Sequence, residues 1–337
     1  MRLPDNIPSP LLPLEEMASL SGLFRGSAGR VLAKGIKSLL KIDEVEYFYA
    51  KICGWDGEKE TGATGAEFAK GAIEESGFRM TLNGMPRDEA IGWLRENLPS
   101  GAFITISNHT LGALDGLGLI DLFGHAREDY KFMVNKLLMR MKAAASRFIT
   151  VTPTGAERTA PTADSVAGVR AAVGHLQAGG CLGLFPSGAV SDKVPGRRPL
   201  VTLPPSGPAV PSTGHVAPSS GLAAPSTCPA PWGLPAAYTE PRIRDREWQM
   251  SIIKFIKRAG VPVIPVLDAT LNSNFYYNLG LIDWRIRITR LPAEMLNKRG
   301  KELRFVMGQA ISPEQISSVS DIKDLRTLLR ASVYTML

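Results

Sequence analysis

One stretch of the chain sets an imidazole beside a carboxylate at short spacing: Ser107-Asn108-His109-Thr110-Leu111-Gly112-Ala113-Leu114-Asp115-Gly116. A carboxylate at one ring nitrogen fixes the tautomer and raises the basicity of the other, which makes a general base for a hydroxyl or thiol proton. Gly112 lets the intervening turn close tightly enough for the two side chains to meet. Taken alone, the pair equally suits a buried histidine followed by a helix-capping aspartate. A second stretch, Leu184-Phe185-Pro186-Ser187-Gly188, ends an apolar run in a turn of small residues. Lys136 by itself reads as a solvated charge on a helix, and Arg158 carries no motif of its own. His125, His175 and His215 have no local acid at useful spacing. No ligand spacing for a metal and no glycine-rich phosphate loop is found, so neither metal nor cofactor is expected.

These residues need elements to place them. Ala102 to Ser107 is a short β-rich run that delivers His109 at its carboxyl end, and Gly116 to Phe123 reads as the helix that follows. Tyr130 to Val134, Phe148 to Val151 and Cys181 to Phe185 are further strands, and Asp164 to Ala178 is a helix. Lys136 to about Ser146 is also expected to be helical. Strands alternating with helices imply an α/β fold with a mostly parallel or mixed sheet covered by helices. In such sheets ligands gather outside the carboxyl ends of the strands, where the histidine lies. Val261 to Val266 adds a strand whose prolines confine it to an edge or a strand end.

Residues 1–98 read as a helical N-terminal region and 99–337 as the α/β domain. From Gly22 to Ile42 apolar residues recur at helical spacing with Arg30, Lys34, Lys37 and Lys41 opposite, a pattern that suits either a membrane interface or an ordinary surface helix. Residues 194–241 hold 12 of the 25 prolines and three charged residues, and so read as a disordered insertion. A helix-like continuation resumes at Ile243 to Trp248.

Composition sets outer limits. The 337 residues are 44% hydrophobic and 21% charged, which excludes a chain disordered throughout. No apolar run is long enough to span a bilayer, and no signal peptide is evident. Cys53, Cys181 and Cys228 lie far apart, which argues against a disulfide framework. A net charge of +7 favours an anionic partner. Without basic–aromatic interleaving, nucleic acid is not expected.

In order along the chain stand Asn108-His109 with Asp115, the Tyr130–Lys136 block, Phe185-Pro186-Ser187-Gly188 and Val261-Pro262-Val263-Ile264-Pro265-Val266. This series resembles the glycerolipid acyltransferases, the superfamily of bacterial lysophosphatidic acid acyltransferase, in a hemolysin-like branch. It departs from the family at three places. Five residues separate His109 from Asp115 where most members have four, Ser187 stands where the family has glutamate, and Phe148 to Pro153 lacks the usual substrate-binding arginine.

The resemblance implies an O-acyltransferase that moves a fatty acyl group from acyl-CoA or acyl carrier protein to a lysolipid hydroxyl, at the cytoplasmic side of a membrane surface. The acceptor would be a lysophospholipid or a lyso-ornithine-type lipid. His109 and Asp115 are then catalytic, and Asn108, Lys136, Phe185, Pro186, Ser187 and Gly188 bind substrate. Two other readings stay open: a serine hydrolase using Ser187 or Ser191, and a lipid- or membrane-binding protein of the same fold with a disabled site.

Overall fold

A computed structural model describes residues 41–54, 62–151, 163–204, 231–282, 287 and 290–337. The helix expected from Gly22 to Ile42 and residue Arg158 therefore fall outside the described residues, apart from the last two positions of that helix.

The elements in chain order begin with α1 (Ile42–Ile52), α2 (Gly65–Glu75), β1 (Arg79–Leu82), β2 (Met85–Pro86) and α3 (Arg87–Asn97). There follow β3 (Ile104–Ser107), α4 (Ala113–Ala126), β4 (Tyr130–Asn135), β5 (Phe148–Val151), α5 (Ala163–Gln177) and β6 (Cys181–Leu184). Next come β7 (Asp192–Lys193), β8 (Leu200–Thr202), β9 (Ala237–Thr239), β10 (Ile243–Arg244), α6 (Met250–Ala259) and β11 (Val263–Asp268). The chain ends with α7 (Asn274–Ile282), α8 (Leu291–Leu296), β12 (Glu302–Met307), α9 (Pro313–Ser318) and α10 (Ile322–Tyr334).

Eight strands form one sheet in the order β2-β1-β12-β11-β3-β6-β4-β5. The five from β11 to β5 run parallel, and β12 opposes β11. All four residues of β3, all four of β6 and all six of β11 are buried. Burial on both faces is why these strands read as continuous apolar runs rather than alternating ones. One face packs on α1 to α4, through Phe68, Leu94, Leu119 and Phe123. The other packs on α5, α6, α9 and α10, through Leu176, Ile253, Ile256, Ile316 and Leu329. The resulting three layers put the carboxyl ends of β3, β6, β4 and β5 on one edge.

Four expectations need correction. First, the stretch 1–98 contains strands: β1 pairs in parallel with β12, so the sheet crosses the boundary expected at residues 98 and 99. Second, Lys136 to Ser146 is not one α-helix but two 3₁₀ segments, Lys136–Arg140 and Lys142–Arg147. Third, the proline-rich strand β11 is central, lying between β12 and β3. The carbonyl of Pro265 accepts from Gly308 N at 2.9 Å, so the proline nitrogen faces the β12 side where that strand has just ended at Met307. Pairing resumes one residue out of register at Val263 and Ile311, so the proline lies at a bulge of this ladder, where a missing N–H is tolerated inside a sheet. Fourth, the segment from Ile243 to Trp248 is not helical. Ile243–Arg244 forms strand β10 against β7, and the helix starts at Met250.

Both described ends of the proline-rich segment are ordered. β8 pairs antiparallel with β9, and Leu203 and Tyr238 pack on Leu328, Ala331 and Tyr334 of α10. The expectation of disorder does not hold for these ends, because Leu203 and Tyr238 find apolar surface to cover that local composition does not reveal.

Candidate active site

β3 ends at Ser107, and the chain turns through Gly112, at φ +83°, into α4. A β-carbon on Gly112 would also lie 3.0 Å from the Leu291 side chain. That turn takes up the five residues between the two functional groups. His109 Nδ1 lies 2.9 Å from Asp115 Oδ2. The same oxygen accepts from Leu111 N at 2.9 Å, and Oδ1 accepts from Gly116 N at 2.8 Å. Asp115 is wholly buried in the first turn of α4, where the helix dipole favours a negative charge. These hydrogen bonds hold the carboxylate oxygen where it can accept the Nδ1 proton of a neutral ring, leaving Nε2 with its lone pair. Among the described residues no group hydrogen-bonds Nε2, and the His109 side chain keeps 17% of its surface exposed.

Burial lowers the His109 pKa. The charge and hydrogen bond of Asp115, followed by the charges of Asp245 and Asp268, outweigh that effect, so the imidazole titrates above its usual value. Phe185, one residue past β6, stacks on the imidazole at 3.9 Å between ring centroids and 13° between planes. It packs in turn on Phe132 of β4 at 4.8 Å. The sheet order β3-β6-β4 thus makes an aromatic wall against one face of the imidazole.

Asn108 is buried and both ends of its amide are occupied. Its Nδ2 donates to Asp268 O at 2.8 Å, and its Oδ1 accepts from Asp268 N at 2.7 Å. It clamps β3 to the end of β11 rather than presenting polar atoms to a ligand. Ser187 Oγ donates to Ala189 O at 2.8 Å, and Pro186 O accepts from Gln249 N at 2.9 Å. Gly188 has φ +65°, its N–H donates to Phe185 O at 3.0 Å, and a β-carbon there would sit 2.2 Å from the Gln249 amide. Phe185 to Gly188 is therefore a turn held on α6, and its Phe185 side chain touches His109. Lys136 is exposed at the carboxyl end of β4, two strands from β3 and so roughly 10 Å away at ordinary strand spacing.

Several residues that hold this site carry no local sequence signal. Asp245, far along the chain, accepts from His109 N at 3.0 Å and Ser191 Oγ at 2.6 Å with one oxygen, and from Trp248 Nε1 at 3.0 Å with the other. Ser191 N in turn donates to His109 O at 2.6 Å. The buried guanidinium of Arg287 holds Ser191 O at 2.8 Å and pairs with Asp192. Asp268 accepts from Thr110 Oγ1 at 2.7 Å. Thr110 O receives Asn272 Nδ2 at 3.0 Å and the Tyr277 hydroxyl at 3.2 Å. Buried Lys298 bonds Asn272 Oδ1. Its pKa is lowered to about 8, chiefly by burial. Both chain segments flanking the imidazole are thus fixed from other parts of the chain.

The hydroxyls of Ser187 and Ser191 are committed to Ala189 O and Asp245, and neither bonds the imidazole. His125, expected to lack an acid, has two: Asp121 at 2.9 Å and Glu67 at 2.8 Å, with Arg87 also on Asp121. This cluster ties the far end of α4 to α2 and α3.

The acyltransferase family model matches residues 94–267, which spans β3, the His109–Asp115 turn, the Phe185 turn and β11. Two lyso-glycine lipid O-acyltransferases are similar to the chain. The protein from Bacteroides thetaiotaomicron is 23% identical over 284 residues, 82% of this chain and 79% of its own length. The one from Phocaeicola vulgatus is 22% identical over 290 residues, 84% and 79% respectively. The family match takes in just over half of the chain, with the ends of β3, β6 and β4, so this protein belongs to the acyltransferase family.

Proposed function

We propose that the protein transfers a fatty acyl group from an acyl thioester, either acyl-CoA or acyl carrier protein, to the hydroxyl of a lysolipid. The observation that carries this reading is the His109–Asp115 pair at the end of β3, with Nε2 left unbonded beside Phe185. A neutral imidazole in that state accepts the hydroxyl proton as the oxygen attacks the thioester carbonyl. The tetrahedral intermediate then collapses, the C–S bond breaks, and the imidazolium returns the proton to the leaving thiolate. Asp115 holds the ring and balances the charge that develops on it.

His109 and Asp115 are the catalytic residues in this reading, Phe185 fixes the ring plane, and Asn108 is a positioning residue. Lys136 stands far enough from the base to meet an acidic part of a substrate rather than its reacting atoms. The names of the two similar proteins favour an acceptor built on a lipidated amino acid over a glycerol phosphate, in keeping with the absence of an arginine from Phe148 to Pro153. The enzyme works peripherally, at the cytoplasmic face of a membrane that supplies the acceptor. No described helix is long and apolar enough to cross a bilayer.

The test is acyl-thioester consumption by purified protein over a panel of lyso-glycine, lyso-ornithine and lysophosphatidic acceptors, beside His109→Ala. Transfer to an amino-acid lysolipid that drops by about 10²–10⁴ in the variant is expected. Consumption that persists without His109 refutes the mechanism, and hydrolysis without acceptor acylation refutes the reaction.

A further inference from the structure

The nine-residue helix α7 carries its apolar residues on both sides. Tyr276 and Tyr277 are fully buried, and the Tyr277 hydroxyl bonds the carbonyl of Thr110, next to the catalytic histidine. On the outside, Phe275 is 55%, Leu281 53% and Ile282 77% exposed, and Leu271 just before the helix is 47% exposed. Within the helix Phe275 and Ile282 are seven positions apart, which places them on one side. Four of the ten large apolar side chains exposed among the described residues are thus gathered in twelve consecutive positions. A cluster of this kind marks an interaction surface rather than ordinary scatter.

Cations frame it. The Arg290 guanidinium lies 5.4 Å from the centre of the Phe275 ring. A cleft of about 430 Å³ opens between Ile282, Gly280, Val194 and Pro195, with Lys193 and Arg246 on its rim. Lys193 reaches Asn278 on the same helix, and exposed Arg242 bonds Val194 through its backbone. The one acid in the cleft, Asp192, is engaged by Arg246 and Arg287.

Resting on the lipid-acceptor reading above, we propose that the outer face of α7 docks on an anionic bilayer, with Phe275, Leu281 and Ile282 entering beneath the headgroups while Lys193, Arg242 and Arg246 meet their phosphates. Apolar side chains with a cationic surround are the pattern of interfacial binding. An acidic carrier protein would also satisfy the cations. A fluid acyl layer, however, takes up protruding aliphatic side chains without needing a matching pocket. The inner face of α7 is tied to the His109 loop, so docking puts the bilayer about one helix diameter, ~10 Å, from the catalytic turn.

Full-length protein is sedimented with vesicles of phosphatidylcholine alone or with 30 mol% phosphatidylglycerol, roughly the proportion at which surface charge governs binding. Wild type and His109→Ala are expected to bind the anionic vesicles alike and the neutral ones at least tenfold more weakly. Phe275→Ser/Ile282→Ser and, separately, Lys193→Ser/Arg246→Ser are expected to lose at least tenfold in binding to anionic vesicles with unchanged thermal unfolding. Equal binding by these variants, equal binding to both vesicle types, or occupation of the face by a second copy or by acyl carrier protein would each overturn the proposal. If vesicle binding depends on α7 while no lysolipid is acylated, the docking face stands and the acceptor reading falls. Acylation with α7-independent binding gives the reverse.

Discussion

His109 is gripped at its ring, its N–H and its carbonyl, and each hold has a separate consequence. The ring is oriented by Asp115 and stacked on Phe185, so its chemistry depends on one charge and one plane. Because the imidazole must be neutral to accept a proton, transfer is expected to rise with pH, with a midpoint above the usual 6.5. Asp115→Asn removes the main charge that holds this value up. It should move the midpoint down and lower the plateau on the order of 10²-fold or more, since the wrong tautomer is also favoured. A rate profile of both proteins across pH 5–9, the range around an imidazole pKa, checks this; an unshifted midpoint would show that Asp115 does not set it. The same titration has the opposite sign in stability. A pKa raised by folding gives stability that is fully present below the unfolded value and fades as pH rises through the folded one.

At the scale of elements, the site depends on two aspartates that lie outside any recognisable motif. Asp245 precedes α6 and collects three buried donors, two of them from the β3 and β6 ends. Asp245→Ala leaves all three unpaired at about 1–3 kcal/mol each. Destabilisation by several kcal/mol is expected in denaturant unfolding, and a loss below ~1 kcal/mol would mean that water replaces the carboxylate. Asp268 ends β11, and burial followed by the charge of Asp115 pushes it up to about 7. A carboxyl raised on folding binds its proton more tightly in the native state, so stability falls as pH climbs between its ordinary 3.8 and about 7. Asp268→Asn should flatten that part of the curve of melting temperature against pH. An unaltered slope in calorimetry would assign the dependence to another group.

Across the whole molecule, the three layers bring the edge around His109 together from segments 103–116, 181–192, 243–249 and 263–277. The proline-rich segment leaves this sheet and returns to it. β8 and β9 pair, with Thr202 opposite Ala237, and lie on α10, so residues 202 and 237 already stand side by side. Replacing residues 205–230 by a short Gly/Ser linker should therefore leave the fold intact. The melting temperature is expected to stay within about 2 °C, the shift produced by ~1 kcal/mol in a chain of this size, with acyl transfer retained. Collapse of either one would show that those residues take part in the packing or the reaction.

Ala102–Ser107, Tyr130–Val134 and Cys181–Phe185 were legible as strands because burial on both faces leaves an apolar run that needs no partner to be recognised. The His109–Asp115 pair was legible for a similar reason: strand end, glycine and carboxylate all lie within ten residues. Other features exist only after folding. β1 and β12 form a pair more than two hundred residues apart, and neither shows more than a short alternating pattern. Pro265 can sit inside the sheet because the chain after β12 bulges opposite it, a fact about another segment. Asp245, Arg287 and Asn272 become parts of the site through hydrogen bonds across 96 to 162 positions, distances at which local spacing carries no information. Local sequence thus determined which groups can react and which segments form the sheet's interior. Tertiary structure decided which buried charges hold those groups in place, because that depends on who becomes whose neighbour when the layers close.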